Sequence, residues 1–173
     1  MSIHIIIDGY NLIRQSSSLS LLDRQDMQLG RETLVDLLAK YKRIKHHKIT
    51  VVFDGTNALS FSGHRDYISG IEIIFSRSGE SADSVIKKIA AGEKEKALVV
   101  SSDRDVADSA YLSGAAVIGS IEFEKKLEMA AYSDGFSTDG KDEGGWIPTT
   151  KKKGPSRRLK KRKRQSKAKI KKL

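Results

Sequence analysis

Acidic residues recur directly after short apolar runs in this 173-residue chain. Asp8 ends the first run, Asp54 ends the second, and Asp103 follows the fourth. Asp83 lies in the first turn of the helix that the pattern predicts after the third run. Carboxylate oxygens, in a chain without Cys or a His cluster, favour Mg²⁺ or Mn²⁺ over zinc. Because such an ion activates water and stabilises charge on a phosphoryl group, these residues indicate phosphodiester hydrolysis.

Each of these acidic residues also has a purely structural explanation. Asp103 precedes a predicted helix and suits an N-cap, and the helix dipole favours Asp83 regardless of function. Asp54 precedes a glycine, which is a common turn pair. Asp105 and Asp108 are compatible with solvent-facing helix positions. The functional interpretation therefore depends on convergence. Three strand ends and one helix start would all bring carboxylates to the same edge of the sheet.

The elements that must position these residues alternate along the chain. Five apolar runs predict buried strands, at 3–7, 48–53, 71–75, 97–100 and 115–118. Helical spacing of apolar residues separates most of them, and we predict loops at 16–18 and 56–70. This alternation predicts a three-layer α/β/α sandwich with a mainly parallel sheet of about five strands. In such a sheet, ligands bind outside the carboxyl ends of the strands.

The charge of the chain is divided unevenly. Of the 32 Lys and Arg residues, 14 lie in 151–173, a segment without Asp or Glu, so 18 basic and 22 acidic residues precede it. A block of like charges repels itself, and we predict a disordered tail at 151–173. The Gly-rich stretch 134–150, which contains Trp146, is predicted to be a linker that follows a folded domain at 1–133.

Composition excludes several classes of protein. No apolar run approaches the roughly 18 residues that a membrane helix needs. The start of the chain lacks the basic segment and apolar stretch of a signal peptide, so we expect a cytoplasmic protein. The absence of Cys excludes disulfides and thiolate zinc sites. The four His residues offer no convincing set of zinc ligands.

Four segments resemble the NYN domain, in its YacP-like branch, within the PIN-like nuclease superfamily. They are Ile-Asp-Gly-Tyr-Asn-Leu at 7–12, Val-Phe-Asp-Gly at 52–55, Gly-Glu-Ser-Ala-Asp at 79–83 and Val-Ser-Ser-Asp-Arg-Asp at 100–105. The resemblance covers roughly residues 1–135 and leaves the basic tail outside the family pattern. It implies a PIN-like fold and a metal-dependent endoribonuclease that uses Mg²⁺ or Mn²⁺.

The resemblance also implies roles for individual residues. Asp8, Asp83 and Asp103 would bind the metal directly or through water. The accessory residues would be Asn11, Glu80, Asp54 and Asp105. Our own hypothesis for two of them is that Glu80 orients a metal-bound water and that Asn11 holds Asp8 or contacts the scissile phosphate.

The basic tail predicts a polyanionic partner, because neutralised phosphates release counterions. Its densest cations, which we expect to bind RNA, are Arg157, Arg158, Lys160, Lys161, Arg162, Lys163 and Arg164. Candidate partners are mRNA, rRNA and the ribosome, and the alternative is a solubilising extension. A membrane tether is disfavoured because no apolar anchor accompanies the charges.

Three other functions compete with a nuclease. A non-catalytic RNA-binding module on the same fold would not need Asp8, Asp83 and Asp103. A phosphatase with an Asp nucleophile commonly has Asp-X-Asp after the first strand, whereas Tyr10 stands at the second position here. A phospho-accepting receiver domain needs a Lys at its last strand, and 115–119 contains none.

Overall fold

A six-stranded sheet forms the centre of the molecule. The computed structural model describes residues 2–55, 64–135 and 161–173, and in this part the strand order is β3-β4-β2-β1-β5-β6. The strands are β1 (His4–Asp8), β2 (Lys48–Phe53), β3 (Arg65–Ile68), β4 (Ile71–Phe75), β5 (Ala97–Val100) and β6 (Ala116–Ile118). Every neighbouring pair is parallel except β3 with β4, which is antiparallel.

Helices cover both faces of this sheet. They are α1 (Gly9–Gln15), α2 (Ser17–Gln25), α3 (Met27–Lys45), α4 (Ala82–Glu93), α5 (Arg104–Leu112), α6 (Ser120–Gly135) and α7 (Lys161–Lys172). Along β1, Ile5 and Ile7 face the core under α1, α3 and α6, while Ile6 faces the core under α4 and α5. The predicted three-layer α/β/α architecture is therefore confirmed. Within the described ranges, no helix is long and apolar enough to span a membrane.

Two predicted loops contain regular structure. The stretch predicted as a loop at 56–70 contains β3, and its residues 56–63 lie outside the described ranges. All four residues of β3 are exposed, so this edge strand lacks the apolar pattern by which strands are predicted. At 16–18, Ser16 caps α2 by accepting a hydrogen bond from the Leu19 N–H at 3.1 Å. A serine run that resembles a loop is thus also a helix start.

The end of the basic tail differs from the predicted disorder, because residues 161–172 form α7. Leu173 is buried in the main core, and its carbonyl accepts a hydrogen bond from the Tyr41 hydroxyl at 3.2 Å. The Arg162 guanidinium donates to the carbonyls of Tyr111 and Leu112 at 2.9 and 3.1 Å. These apolar and carbonyl contacts offset the charge repulsion on which the prediction was based. The remaining tail residues, 151–160, lie outside the described ranges, as do 136–150 of the predicted linker with Trp146.

The position of α7 is opposite to the edge where the acidic residues collect. Arg162 contacts the end of α5, just before β6 begins, and the Lys169 ammonium contacts the carbonyl of Glu95, just before β5 begins. These are the amino ends of parallel strands, whereas Asp8 and Asp103 lie at the carboxyl ends. The structure thus places a basic helix and the predicted acidic site at opposite edges of the sheet.

Candidate active site

Four of the predicted carboxylates line a single cavity at the carboxyl edge of the sheet. This acidic cavity has a volume of about 420 Å³. The predicted site residues in its wall are Asp8, Asn11, Asp54, Asp83 and Asp103. The other lining residues are Tyr10, Arg14, Gln15, Ser81 and Ala82. The convergence expected from the ends of parallel strands is therefore present in the fold.

Asp8 is the most enclosed carboxylate of the cavity, at 8% exposure. It ends β1 and caps α1, where its Oδ1 accepts a hydrogen bond from the Asn11 N–H at 3.1 Å. Its Oδ2 accepts a hydrogen bond from the Ser101 hydroxyl at 3.3 Å. Burial raises the pKa of Asp8, and repulsion from Asp83 and Asp103 raises it further, while the two hydrogen bonds act in the opposite direction. A cation at this position would relieve both unfavourable effects.

The glycines after Asp8 and Asp54 are required by close packing. A Cβ on Gly9 would lie 2.3 Å from Cε1 of Phe53, and a Cβ on Gly55 would lie 2.0 Å from the carbonyl oxygen of Ser76. Neither position tolerates a side chain without movement of its neighbours. The glycine of each Asp-Gly pair is therefore explained by tight packing at the strand end, and not by a simple turn.

Ser101 connects two of the acidic residues. Besides donating to Asp8, its hydroxyl oxygen accepts a hydrogen bond from the Asp103 N–H at 3.1 Å. Asp103 caps α5, because its Oδ1 accepts from the N–H groups of Asp105 and Val106 at 2.8 and 3.2 Å. The structural and functional interpretations of Asp103 are compatible, since capping uses Oδ1 and leaves Oδ2 for another partner.

Asp83 and Asp54 complete the acidic wall. Burial raises the pKa of Asp83, repulsion from Asp103 adds to the increase, and the charge of Lys87 opposes it. The carboxylate of Asp54 accepts a hydrogen bond from the Ser76 hydroxyl at 3.3 Å, and that hydroxyl accepts from the Gly55 N–H at 3.0 Å. A cation in this cavity would offset the repulsion that Asp83 experiences.

Asn11 joins three segments of the site through one oxygen. Its Oδ1 accepts hydrogen bonds from the Ser120 hydroxyl at 2.7 Å, the Ser102 N–H at 3.0 Å and the Gln15 amide at 3.3 Å. The predicted hold on Asp8 comes from the backbone N–H of Asn11. Because Oδ1 is fully occupied, only the side-chain NH₂ group remains for a substrate.

Two predicted accessory residues do not face the acidic cavity. Glu80 pairs with Lys88 and lines a separate cavity, and this hydrogen bond lowers the pKa of Glu80. The side chain of Asp105 is 80% exposed and pairs with Lys87. The direction of neither side chain could be predicted from residue spacing, because each carboxylate pairs with a lysine of α4.

Of the lining residues that were not predicted, Tyr10 and Arg14 have side chains suited to contact a substrate. Arg14 lies 5.6 Å from the centroid of the Tyr10 ring, one helical turn farther along α1, and both line the acidic cavity. Their spacing of four residues is a helical signal, but we expected no helix before residue 16. Arg14 adds a cation suited to a phosphate in an otherwise acidic wall.

The carboxylates of the acidic cavity suit a divalent ion that keeps most of its water ligands better than an ion bound by protein groups alone. Among residues 2–55, 64–135 and 161–173, no group of three or more His, Asp or Glu side chains is arranged to hold a metal ion. The carboxylates of Asp8, Asp83 and Asp103 nevertheless share a cavity, where burial and then repulsion from neighbouring carboxylates raise the pKa of Asp8 and of Asp83. Mg²⁺ commonly retains several waters and takes only one or two carboxylates, which matches this open arrangement.

Comparisons with known proteins point to one family. The profile of the YacP-like NYN domain matches residues 5–172. The uncharacterized protein YacP of Bacillus subtilis (strain 168) is 29% identical over 90 residues, which are 50% of this chain and 50% of that protein. The match therefore spans half the length of this curated relative. Because the family profile extends to residue 172, the expectation that the basic tail lies outside the family pattern is wrong.

Solved structures agree with the fold. The crystal structure of Rae1 (YacP) from Bacillus subtilis has a TM-score of 0.66 and 25% identity, covering 78% of each chain. The crystal structure of a mutant of that same protein has a TM-score of 0.64 and 23% identity, covering 76% of this chain and 78% of that one.

Proposed function

Because this chain belongs to the YacP-like NYN domain family, we propose that it is a metal-dependent endoribonuclease whose chemistry takes place in the acidic cavity. The NYN domain is a PIN-like nuclease family, which supports a nuclease in general. One observation supports the more specific proposal of metal-dependent RNA cleavage in the acidic cavity. Three carboxylates from separate elements, Asp8, Asp83 and Asp103, line one cavity, where burial and then repulsion among them raise the pKa of Asp8 and Asp83.

Asp8, Asp83 and Asp103 would hold a hydrated Mg²⁺ or Mn²⁺ ion, with Asp54 nearby. When bound, the ion activates water and stabilises charge on the phosphoryl oxygens. The Ser101 hydroxyl donates to the Asp8 carboxylate and accepts from the backbone N–H of Asp103, so it links Asp8 to the start of α5. Arg14 offers its guanidinium to a phosphate in the cavity.

A cleavage assay tests this function. The full chain is incubated with RNA and with DNA of the same sequence, in Mn²⁺, Mg²⁺ or chelator. We expect cleavage of RNA that requires metal and is reduced about 100-fold or more by Asp8→Asn, a loss of the size expected for a key carboxylate. Asn is a good N-cap, so the variant should keep α1 and the fold. Asp108→Asn, on α5 and outside the acidic cavity, is the matched control and should cleave normally.

A non-catalytic RNA-binding module is the second candidate. The observation in its favour is that the described residues contain no group arranged to hold a metal directly. If wild type and Asp8→Asn bind RNA equally well and neither cleaves it in any metal, this second function replaces the first. Metal-dependent cleavage by the wild type would exclude it.

We further propose that α7 increases affinity for RNA, including the ribosome as a candidate partner. Lys161, Lys163 and Arg164 are exposed on α7, whereas Arg162 is already engaged by the end of α5. Because Leu173 is part of the core, deleting the tail would also damage the fold. Replacing the three exposed cations by Gln tests charge alone. We expect weaker co-sedimentation with ribosomes, and equal co-sedimentation would reject a role for α7.

A further inference from the structure

A second cavity, of about 390 Å³, lies near the acidic one, and its wall combines three cationic side chains with apolar ones. The charged and polar residues of this basic cavity are His64, Arg65, Arg77, Lys88 and Glu80. Aliphatic side chains of β4 and α4 form much of the rest of its wall. Residues 1–150 carry more acidic than basic side chains, so a concentration of cations at this place requires an explanation.

The basic cavity and the acidic cavity are separate, but neighbouring residues of the same two segments line them. Glu80 lines the first, whereas Ser81 and Ala82, the next two residues, line the second. On the neighbouring segment, Phe75 lines the basic cavity, and Ser76 binds the carboxylate of Asp54. Because successive Cα atoms are about 3.8 Å apart, the two cavities are separated by roughly the width of the backbone. This distance is short enough for neighbouring nucleotides of one RNA strand to reach both cavities.

An anion already occupies the basic cavity in the form of a side chain. The Glu80 carboxylate pairs with Lys88, and the charge of Arg77 also favours its ionised form. Lys88 itself is 73% exposed, so its ammonium group is accessible to a larger ligand. A phosphodiester carries the same charge as this carboxylate and presents its oxygens to the same cations.

We propose that the basic cavity binds the phosphodiester of the RNA strand next to the scissile nucleotide, with Lys88 and Arg77 as its contacts. This proposal rests on the nuclease function, since it names a substrate contact beside the acidic cavity. The aliphatic wall of Ile74, Val85 and Ile89 packs against the sugar or base of the same nucleotide. Glu80 competes with the phosphate for the two cations, in contrast to the role in orienting water that the sequence predicted.

Binding measured without cleavage tests the proposal independently of catalysis. The full-length Asp8→Asn protein is titrated with fluorescent single-stranded RNA at several salt concentrations. Lys88→Gln and Arg77→Gln should each weaken binding about threefold to tenfold and reduce the slope of log affinity against log salt by ~0.7, the loss of one phosphate contact. Lys40→Gln, an exposed lysine on α3 that lines neither cavity, should remain within about twofold.

Glu80→Gln gives the sharpest result. Removing a competing negative charge should strengthen RNA binding about twofold to fivefold, as expected for relief of like-charge repulsion. The proposal is overturned if Glu80→Gln weakens binding, or if Lys88→Gln and Arg77→Gln bind as the control does. A melting curve for each variant verifies that these substitutions leave the fold intact.

Kinetics separate this proposal from the nuclease function. With the wild-type Asp8, Lys88→Gln should raise KM about fivefold and leave kcat within about twofold, because a phosphate contact away from the bond that breaks contributes uniform binding. A lower kcat at unchanged KM would place Lys88 in the chemistry and refute the proposal. If the wild type cleaves no RNA, the nuclease function fails, and the binding measurements with Asp8→Asn still decide whether the basic cavity holds a phosphodiester.

Discussion

Substituting Asn11 by Ala should destabilise the protein, because one side-chain oxygen joins α1 to the starts of α5 and α6. In the variant, the Ser120 hydroxyl, on a residue with 0% exposure, loses its 2.7 Å acceptor. The Ser102 N–H loses a 3.0 Å acceptor but lies at an exposed position. A buried donor without a partner costs about 1–3 kcal/mol, and a partly exposed one costs about 1 kcal/mol.

These contributions give an expected loss of about 3 kcal/mol in the free energy of unfolding. For a chain of this length, that loss lowers the melting temperature by roughly 9 °C. Differential scanning calorimetry in chelator measures it without interference from bound metal. The kcat for RNA cleavage should also fall about tenfold, as expected for displacement of a positioned group, since Ser102 directly precedes Asp103.

Asn11→Asp provides the matched comparison. It keeps an oxygen for Ser120 and Ser102 but replaces the NH₂ group by a charged oxygen in the acidic cavity, so its stability should lie between those of Asn11→Ala and the wild type. An unchanged melting temperature in Asn11→Ala would refute the proposed link between the three segments. Equal destabilisation by Ala and Asp would show that the acceptor oxygen is not the stabilising feature.

Two titratable groups and one glycine give the remaining predictions. Asp83 has a raised pKa, so its contribution to stability is present at low pH and is lost as pH rises through that pKa. In chelator at neutral pH, Asp83→Asn should therefore melt about 2 °C higher, and a lower melting temperature would contradict this. Burial lowers the pKa of His4 below 6.5, so the folded state stays neutral while the unfolded state takes up a proton. The free energy of unfolding should fall as pH drops below 6.5. If NMR titration of the His4 imidazole in the folded protein gives a midpoint at or above 6.5, protonation of His4 is not the cause. Gly9→Ala should cost about 1–3 kcal/mol by denaturant unfolding, because its Cβ meets the Phe53 ring. Gly92→Ala, which meets nothing within 4 Å, should be neutral or stabilising, and equal losses would refute the packing argument.

The central strands could be predicted from sequence because each is a continuous apolar run in a sheet covered on both faces. Residues 48–53 form β2 as predicted, and the first run forms β1 with Asp8 as its last residue. The edge strand β3 could not be predicted, because exposure of all its residues removes the hydrophobic signal. The helix α1 was not predicted. Asp8 is its N-cap, but we interpreted Asp8 as a metal ligand and not as the signal of a helix start.

The part of the candidate site that follows from the order and direction of the strands could be predicted. The carboxyl ends of parallel strands meet, which brings Asp8 and Asp103 to one edge, and the start of α4 adds Asp83. The direction of Glu80 depends on the loop before α4 and on its pairing with Lys88, and neither follows from spacing. The docking of α7 depends on the apolar residues Leu173 and Ile170, whose contribution the charge argument did not include.

The claim on which the function depends is that one divalent ion interacts with Asp8, Asp83 and Asp103 together. Paramagnetic broadening by substoichiometric Mn²⁺ in a backbone NMR spectrum tests it most directly. We expect the amide signals of all three residues to broaden together, and this joint broadening to disappear in Asp8→Asn. Broadening confined to one of the three, or an unchanged pattern in Asp8→Asn, would contradict a shared metal site.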